Sequence, residues 1–152
     1  MSEAIVKASI SSLLKGLGFH EEAIYREAET ELVKLLARAG SKPIEISVNF
    51  TFNDLVKEVG EGMLEEMSER AETLLEVLED NSIRPELKSK IVELLSVDIM
   101  DIIAMINEAF NGDSSEVYAA FAEVEDAEER ARKAVATFAN VLLEALRNEM
   151  EF

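Results

Sequence analysis

Apolar residues recur every three or four positions along most of this 152-residue chain, which is the spacing of one buried face of an α-helix. Glycine or asparagine–glycine signals end most of these stretches. The pattern predicts five helices, over about residues 3–15, 20–39, 52–80, 82–111 and 113–150. As one straight rod the last helix would exceed ~50 Å, so we expect it either to bend near Glu125–Asp126 or to pack partly on another subunit.

One stretch has a different period. Between residues 44 and 52 every second side chain is apolar, and β-branched or aromatic residues dominate, which is typical of a β-strand. The apolar positions are Ile44, Ile46, Val48, Phe50 and Phe52. Because a strand needs partners for its backbone groups, we expect it to pair with the same strand of a second subunit across a two-fold axis. The alternative is an extended segment that lies over the helices with its apolar side in the core.

The predicted helix over residues 82–111 is apolar on nearly every side between Ile91 and Ile106. Such a helix is generally buried, so we expect it at the centre of the bundle or of a subunit interface. Gly60 and Gly62 lie within the preceding helix, where they either permit a close helix crossing or mark a break. Four methionines belong either to the core or to an adaptable groove. They are Met63, Met67, Met100 and Met105.

These elements predict an all-α helical bundle of about five helices with one short strand, forming a single domain over residues 1–152 and assembling as a homodimer or higher oligomer. Apolar residues make up 48% of the chain and charged residues 31%, as in folded globular proteins. The absence of cysteine excludes disulfides, thiolate zinc sites and cysteine nucleophiles. The single histidine excludes a multi-histidine metal site.

The net charge of −17 is unevenly distributed. Residues 1–42 are neutral, residues 43–113 carry −12 and residues 114–152 carry −5. Such a surface repels phosphate backbones and anionic lipids, so we expect no direct binding to nucleic acid and none to membranes. The sequence shows no signal peptide and no apolar run long enough to span a bilayer, which predicts a cytoplasmic protein.

Carboxylates are densest between Glu58 and Asp80, where nine acidic residues accompany a single cation, Arg70. Seven of them are spaced by three or four residues, so one helix would present them as a single stripe. They are Glu58, Glu61, Glu65, Glu69, Glu72, Glu76 and Glu79. Because like charges at this spacing destabilise a helix, the stripe is either simply well hydrated or used by a cation or a basic partner.

Asp98 and Asp101 lie three residues apart within the apolar fourth helix. Burying an unpaired carboxylate is costly, so such groups are exposed, paired with a lysine or arginine of another helix, or bound to a metal. Glu65, Glu66 and Glu69 on the preceding helix could complete an oxygen-rich pocket suited to Mg²⁺ or Mn²⁺.

The motif Glu65-Glu66-Met67-Ser68-Glu69, followed by Asp98-Ile99-Met100-Asp101, resembles the all-α nucleoside triphosphate pyrophosphohydrolases of the MazG type. Proteins of that family carry Glu-Glu-x-x-Glu and then Glu-x-x-Asp on successive helices. The resemblance covers about residues 60–106 and departs from the family at Asp98, where the family has glutamate. It implies that Glu65, Glu66 or Glu69 and Asp101 bind a metal that positions nucleotide phosphates and activates water.

The sequence leaves three functional hypotheses open. The first is a non-catalytic interaction or regulatory protein, homo-oligomeric, whose acidic face binds a basic protein partner and which needs no cofactor. The second is an Mg- or Mn-dependent nucleoside triphosphate pyrophosphohydrolase of the MazG-like type. The third is a structural oligomer without a small-molecule site, in which the charge maintains solubility.

Overall fold

The computed structural model describes residues 22–151, and six helices account for most of them. They are α1 (Glu22–Ala39), α2 (Phe52–Val59), α3 (Glu61–Glu79), α4 (Pro85–Asn111), α5 (Ser115–Ala122) and α6 (Ala127–Met150). The all-α class predicted from the sequence is confirmed. The helix predicted over about residues 3–15 lies outside the described residues.

Two of the predicted helices are each divided in two. Gly60 ends α2 with a φ of 95°, a conformation that glycine adopts at little cost, and α3 begins at the next residue. Thr51 and Asp54 form a capping box that fixes the start of α2. The predicted fifth helix is interrupted between α5 and α6, where the side chain of Asp126 caps α6. The predicted bend near Glu125–Asp126 is therefore confirmed.

Helix α6 occupies the centre of the bundle. Between Ala134 and Leu146 nearly every side chain is buried, and the alanines in this stretch let neighbouring helices approach closely. Helices α1 and α4 pack along α6, and α3 packs on α4. Of the two places predicted for α4, the centre of the bundle is wrong, because α4 buries only one side against α6 and α3 while large apolar residues remain exposed on the other. A place in a subunit interface stays a prediction.

Residues 41–51 connect α1 to α2, and no strand occurs anywhere in residues 22–151. Helix side chains bond the backbone of this segment where a neighbouring strand would otherwise do so. The N–H of Ile44 donates to the Thr137 hydroxyl at 3.0 Å, and Asn111 donates to the carbonyl of Ser47 at 2.9 Å. The strand predicted over residues 44–52 is therefore absent from the described chain, and the alternative of an extended segment over the helices describes what is seen.

The predicted alternation along this segment is nevertheless present. The half-buried side chains that pack against the core are Ile44, Ile46 and Val48. Phe50 is buried and stacks on Phe110 of α4, with ring centroids 3.9 Å apart. Phe52, the last predicted strand position, is the first residue of α2 and is fully buried. The alternating pattern thus reports which side of an extended backbone faces the core, without requiring a strand partner.

Asn148 of α6 makes two of the hydrogen bonds that hold this segment, more than any other side chain of the described helices. Its side-chain amide donates to the carbonyls of Val48 and Phe50 at 3.0 and 2.9 Å. We expect Asn148→Ala to lower the free energy of unfolding by about 1–2 kcal/mol, because two acceptors lose their donor. The matched control is Asn140→Ala on the same helix, since the Asn140 amide donates only to Glu144 one turn away.

Urea unfolding of both variants at one temperature would measure the difference. The two substitutions change helix propensity equally, so that contribution cancels in the comparison. Equal destabilisation of the two variants would show that the carbonyl contacts of Asn148 do not hold the segment.

Candidate functional site

The predicted acidic stripe lies along α3 and the end of α2. Gly60 separates the two helices, so Glu58 belongs to α2 and the other six residues belong to α3. Glu58, Glu61 and Glu65 surround the junction of these helices and make no hydrogen bond or ion pair within residues 22–151. We call these three residues the acidic ridge. Glu69 and Glu76 continue the stripe along α3.

Two members of the stripe form ion pairs with one arginine of α1. Arg38 donates to Glu72 at 2.5 Å and makes two hydrogen bonds to Glu79, at 2.8 and 3.0 Å. Glu72 is only 2% exposed, so it does not belong to a solvent-facing surface, contrary to the prediction. Hydrogen bonding to Arg38 lowers the pKa of Glu79 from its ordinary value. Arg38 thus ties α1 to α3 through a buried and a half-exposed carboxylate.

Two of the five carboxylates suggested as metal ligands pair with an arginine. Arg70 pairs with Glu66 one turn earlier on α3, at 3.2 Å, and with Asp98 on the neighbouring helix α4. Helices α3 and α4 do pack side by side, as the metal hypothesis requires. However, residues 22–151 contain no group of three or more acidic or histidine side chains placed to hold a metal ion. For Asp98, the alternative of pairing with an arginine from another helix is confirmed.

A shallow groove of about 310 Å³ runs between α3 and α4. Its lining residues are Met63, Glu66, Met67, Arg70, Asp98, Asp101, Ile102 and Met105. Three of the four methionines noted in the sequence therefore line one groove, and Met63 and Met105 are exposed within it. Glu65 and Glu69 are not among the lining residues, so the five suggested metal ligands do not share one site. The groove combines flexible apolar side chains with charges of both signs.

Asp101 at the edge of this groove is held by a residue of α5. The Tyr118 hydroxyl donates to Asp101 at 2.8 Å, and this hydrogen bond raises the pKa of Tyr118. The bond fixes the carboxylate at the surface, where one of its oxygens can still accept a second donor.

Helix α4 exposes a line of large apolar side chains beside the groove. They are Leu87, Leu94, Val97 and Met105, which we call the α4 outer stripe. At about 100° per residue these positions fall within about 80° of one another around the helix. Leu94 is 73% exposed, the largest value among the large apolar residues in the described part of the chain. An apolar helix face that meets water is typical of an interaction surface.

Sequence reasoning identified the carboxylates of this region but not the groups that bind them. Arg38 lies 34 positions before Glu72, and no local pattern connects the two. Arg70 was visible as the single cation within the acidic stretch, and its position four residues after Glu66 suits a helical ion pair. That spacing was the one sequence signal that favoured an internal ion pair over a metal.

Replacement of Arg38 should strongly destabilise the fold. We expect Arg38→Met to lower the free energy of unfolding by about 2–4 kcal/mol, because buried Glu72 loses its cation. Arg147→Met is the matched control, since Arg147 pairs with Glu29 at a more exposed site and its loss should cost under about 1 kcal/mol. The double variant Arg38→Met/Glu72→Met should recover much of the loss in urea unfolding. A double variant as unstable as Arg38→Met alone would contradict the assigned pairing.

The ion pair between Arg38 and Glu79 predicts that stability depends on pH. The pKa of Glu79 is lower in the folded protein than its ordinary value of 4.5. The stabilisation that its ionised carboxylate gives the fold is therefore fully present above about pH 4.5. It is lost as the pH falls through the pKa of the folded protein. The stability difference between wild type and Arg38→Met should therefore shrink as the pH falls below about 4.5. Urea unfolding of both proteins between pH 7 and pH 3 would measure it. A difference that stays constant or grows would contradict this assignment.

Comparison with known proteins gives no relative: no protein-family model, no curated protein and no solved structure matches the chain. Within residues 22–151, none of the helices combines the length and the apolar character needed to cross a membrane. Any functional inference therefore depends on the surfaces described above.

Proposed function

We propose that this protein is a non-catalytic, homo-oligomeric interaction protein that binds a basic segment of another protein through the acidic ridge. The observation that carries the proposal is the contrast among its carboxylates. Glu72 and Glu79 are bound by Arg38, and Glu66 is bound by Arg70, whereas the ridge residues have no cation within the described chain.

Unpaired like charges near one another leave an electrostatic cost that a cationic partner would relieve. Glu61 and Glu65 are four residues apart on α3, a spacing at which two carboxylates repel each other. Glu58 at the end of α2 adds a third negative charge close to the chain reversal at Gly60. A lysine- or arginine-rich segment would interact with all three, and long-range attraction from the net charge of −17 would speed its approach.

The alternative of a metal-dependent pyrophosphohydrolase has no comparable observation in its favour. Arg70 pairs with Glu66 and Asp98, two of the five suggested metal ligands. Pairing of residues 44–52 with a second copy likewise stays a prediction, and helix side chains already bond part of that backbone.

A fluorescent helical peptide of lysine and alanine tests the proposal. We expect it to bind at low ionic strength and to weaken as salt is raised to about 0.15 M, because screening shortens the range of the attraction. Neutralising the ridge with Glu58→Gln, Glu61→Gln and Glu65→Gln should weaken binding roughly tenfold, at about 0.5 kcal/mol for each exposed ion pair. Fluorescence anisotropy would give both affinities.

The control removes the same charge from another surface. Glu123→Gln, Glu125→Gln and Glu151→Gln change three exposed carboxylates that are not part of the ridge. This variant should bind the peptide within about twofold of wild type, since only the screened net charge changes. Equal weakening in the two triple variants would mean that binding reflects net charge alone, and the ridge would not be a site.

A further inference from the structure

The α4 outer stripe carries charges in a specific order. Near the start of α4, Arg84, Glu86 and Lys90 accompany Leu87. Near its end, Asp101 and Glu108 accompany the last apolar residue of the stripe. Lys90, Asp101 and Glu108 fall on the same side of the helix as the stripe, at about 100° per residue. On this side of α4, Lys90 therefore lies near one end of the stripe and two carboxylates lie near the other.

We propose that α4 packs antiparallel against α4 of a second copy of this chain, around a two-fold axis that passes near Leu95 and Ser96. In this register Leu94 packs on the partner's Val97, and Leu87 packs on the partner's Met105. Each pair occurs twice, as a two-fold interface requires. The stripe between Leu87 and Met105 spans 18 residues, or roughly 27 Å of helix, so the contact is long enough for several layers of side chains.

The charges agree with this register. Lys90 of each copy faces the partner's Asp101. A parallel arrangement would instead place each of these residues against its own copy, so that like charges would meet. Charge order therefore selects the antiparallel orientation, as interfacial charges commonly do.

The same register provides an occupant for the groove between α3 and α4. The partner's Leu87 arrives at Met105 and at the neighbouring Met63, whose flexible side chains can adapt to it. The partner's Lys90 arrives at the carboxylate edge formed by Asp98 and Asp101. A basic helix of another protein could also enter the groove. A second copy of this chain already carries the apolar residue and the cation together, as Leu87 and Lys90.

Sedimentation of the 152-residue protein tests whether the α4–α4 interface exists. We expect wild type to sediment as a species of twice the chain mass of 16.9 kDa. Val97→Asp should produce the monomer, because two buried carboxylates would face Leu94 of the other copy. Val33→Asp is the matched control, since Val33 on α1 is 42% exposed, as is Val97. This control should remain dimeric. A monomeric wild type, or a dimer unaffected by Val97→Asp, would overturn the proposal.

A charge exchange tests the register. Lys90→Glu and Asp101→Lys should each raise the dimer dissociation constant by about tenfold or more, because each places like charges together twice. The double variant restores opposite charges and should return to within about threefold of wild type. Circular dichroism would verify that each variant folds. A double variant no tighter than the single ones would overturn the antiparallel register.

The neutralised acidic ridge separates this inference from the proposed function. Glu58→Gln, Glu61→Gln and Glu65→Gln lie outside the α4 outer stripe, so that variant should dimerise at least as tightly as wild type. If the ridge variant loses peptide binding and still dimerises, the two surfaces are independent. A wild type that dimerises without binding the peptide would contradict the proposed function, and one that binds the peptide as a monomer would contradict the α4 interface.

Discussion

The burial of α6 on nearly every side is the constraint on which the rest of the structure depends. Between Ala134 and Leu146 the side chains of this helix are alanines and large apolar residues on nearly every side. Each side must therefore be covered by another element. Helices α1 and α4 cover much of it, and residues 41–51 lie over what remains. That segment has no helical hydrogen bonds of its own, and Thr137 and Asn148 of α6 bond its backbone. The burial of α6 therefore also determines the path of the connecting segment.

The three-to-four spacing predicted where the helices lie along the chain, but it did not predict which of them is central. α4 is the more apolar of the two long helices because it is apolar on its covered side and on part of its exposed side. Charged residues at both ends of α6 make the helix as a whole less apolar, although its stretch between Ala134 and Leu146 is buried. The alternation over residues 44–52 gave the inward side of the segment correctly. It could not show that Asn and Thr side chains would take the place of a neighbouring strand.

The acidic stripe illustrates a second limit of sequence patterns. Helical spacing placed six of its seven carboxylates on α3, as observed, and Gly60 was recognised as a possible break. Spacing alone could not separate a carboxylate buried against Arg38 from one in solvent, because the cation comes from a distant part of the chain. The pairing of Arg70 with Asp98 changed the meaning of the suggested metal motif in the same way. Long-range ion pairs thus decide which members of a periodic set remain available to a partner.

The two proposed surfaces reinforce each other if both exist. A two-fold dimer through α4 presents the acidic ridge twice, so a basic partner with two cationic segments could bind both copies, and the second contact would form at a high effective concentration. Dimerisation also brings together two chains that each carry −17, and this repulsion must be offset within the α4–α4 interface. In the proposed dimer, apolar contact along the stripe would supply the non-directional attraction, while the Lys90–Asp101 pairs would set direction and register. A basic partner bound at the ridge would lower the net charge of each copy. Partner binding would therefore favour the dimer, and by linkage the dimer would favour partner binding.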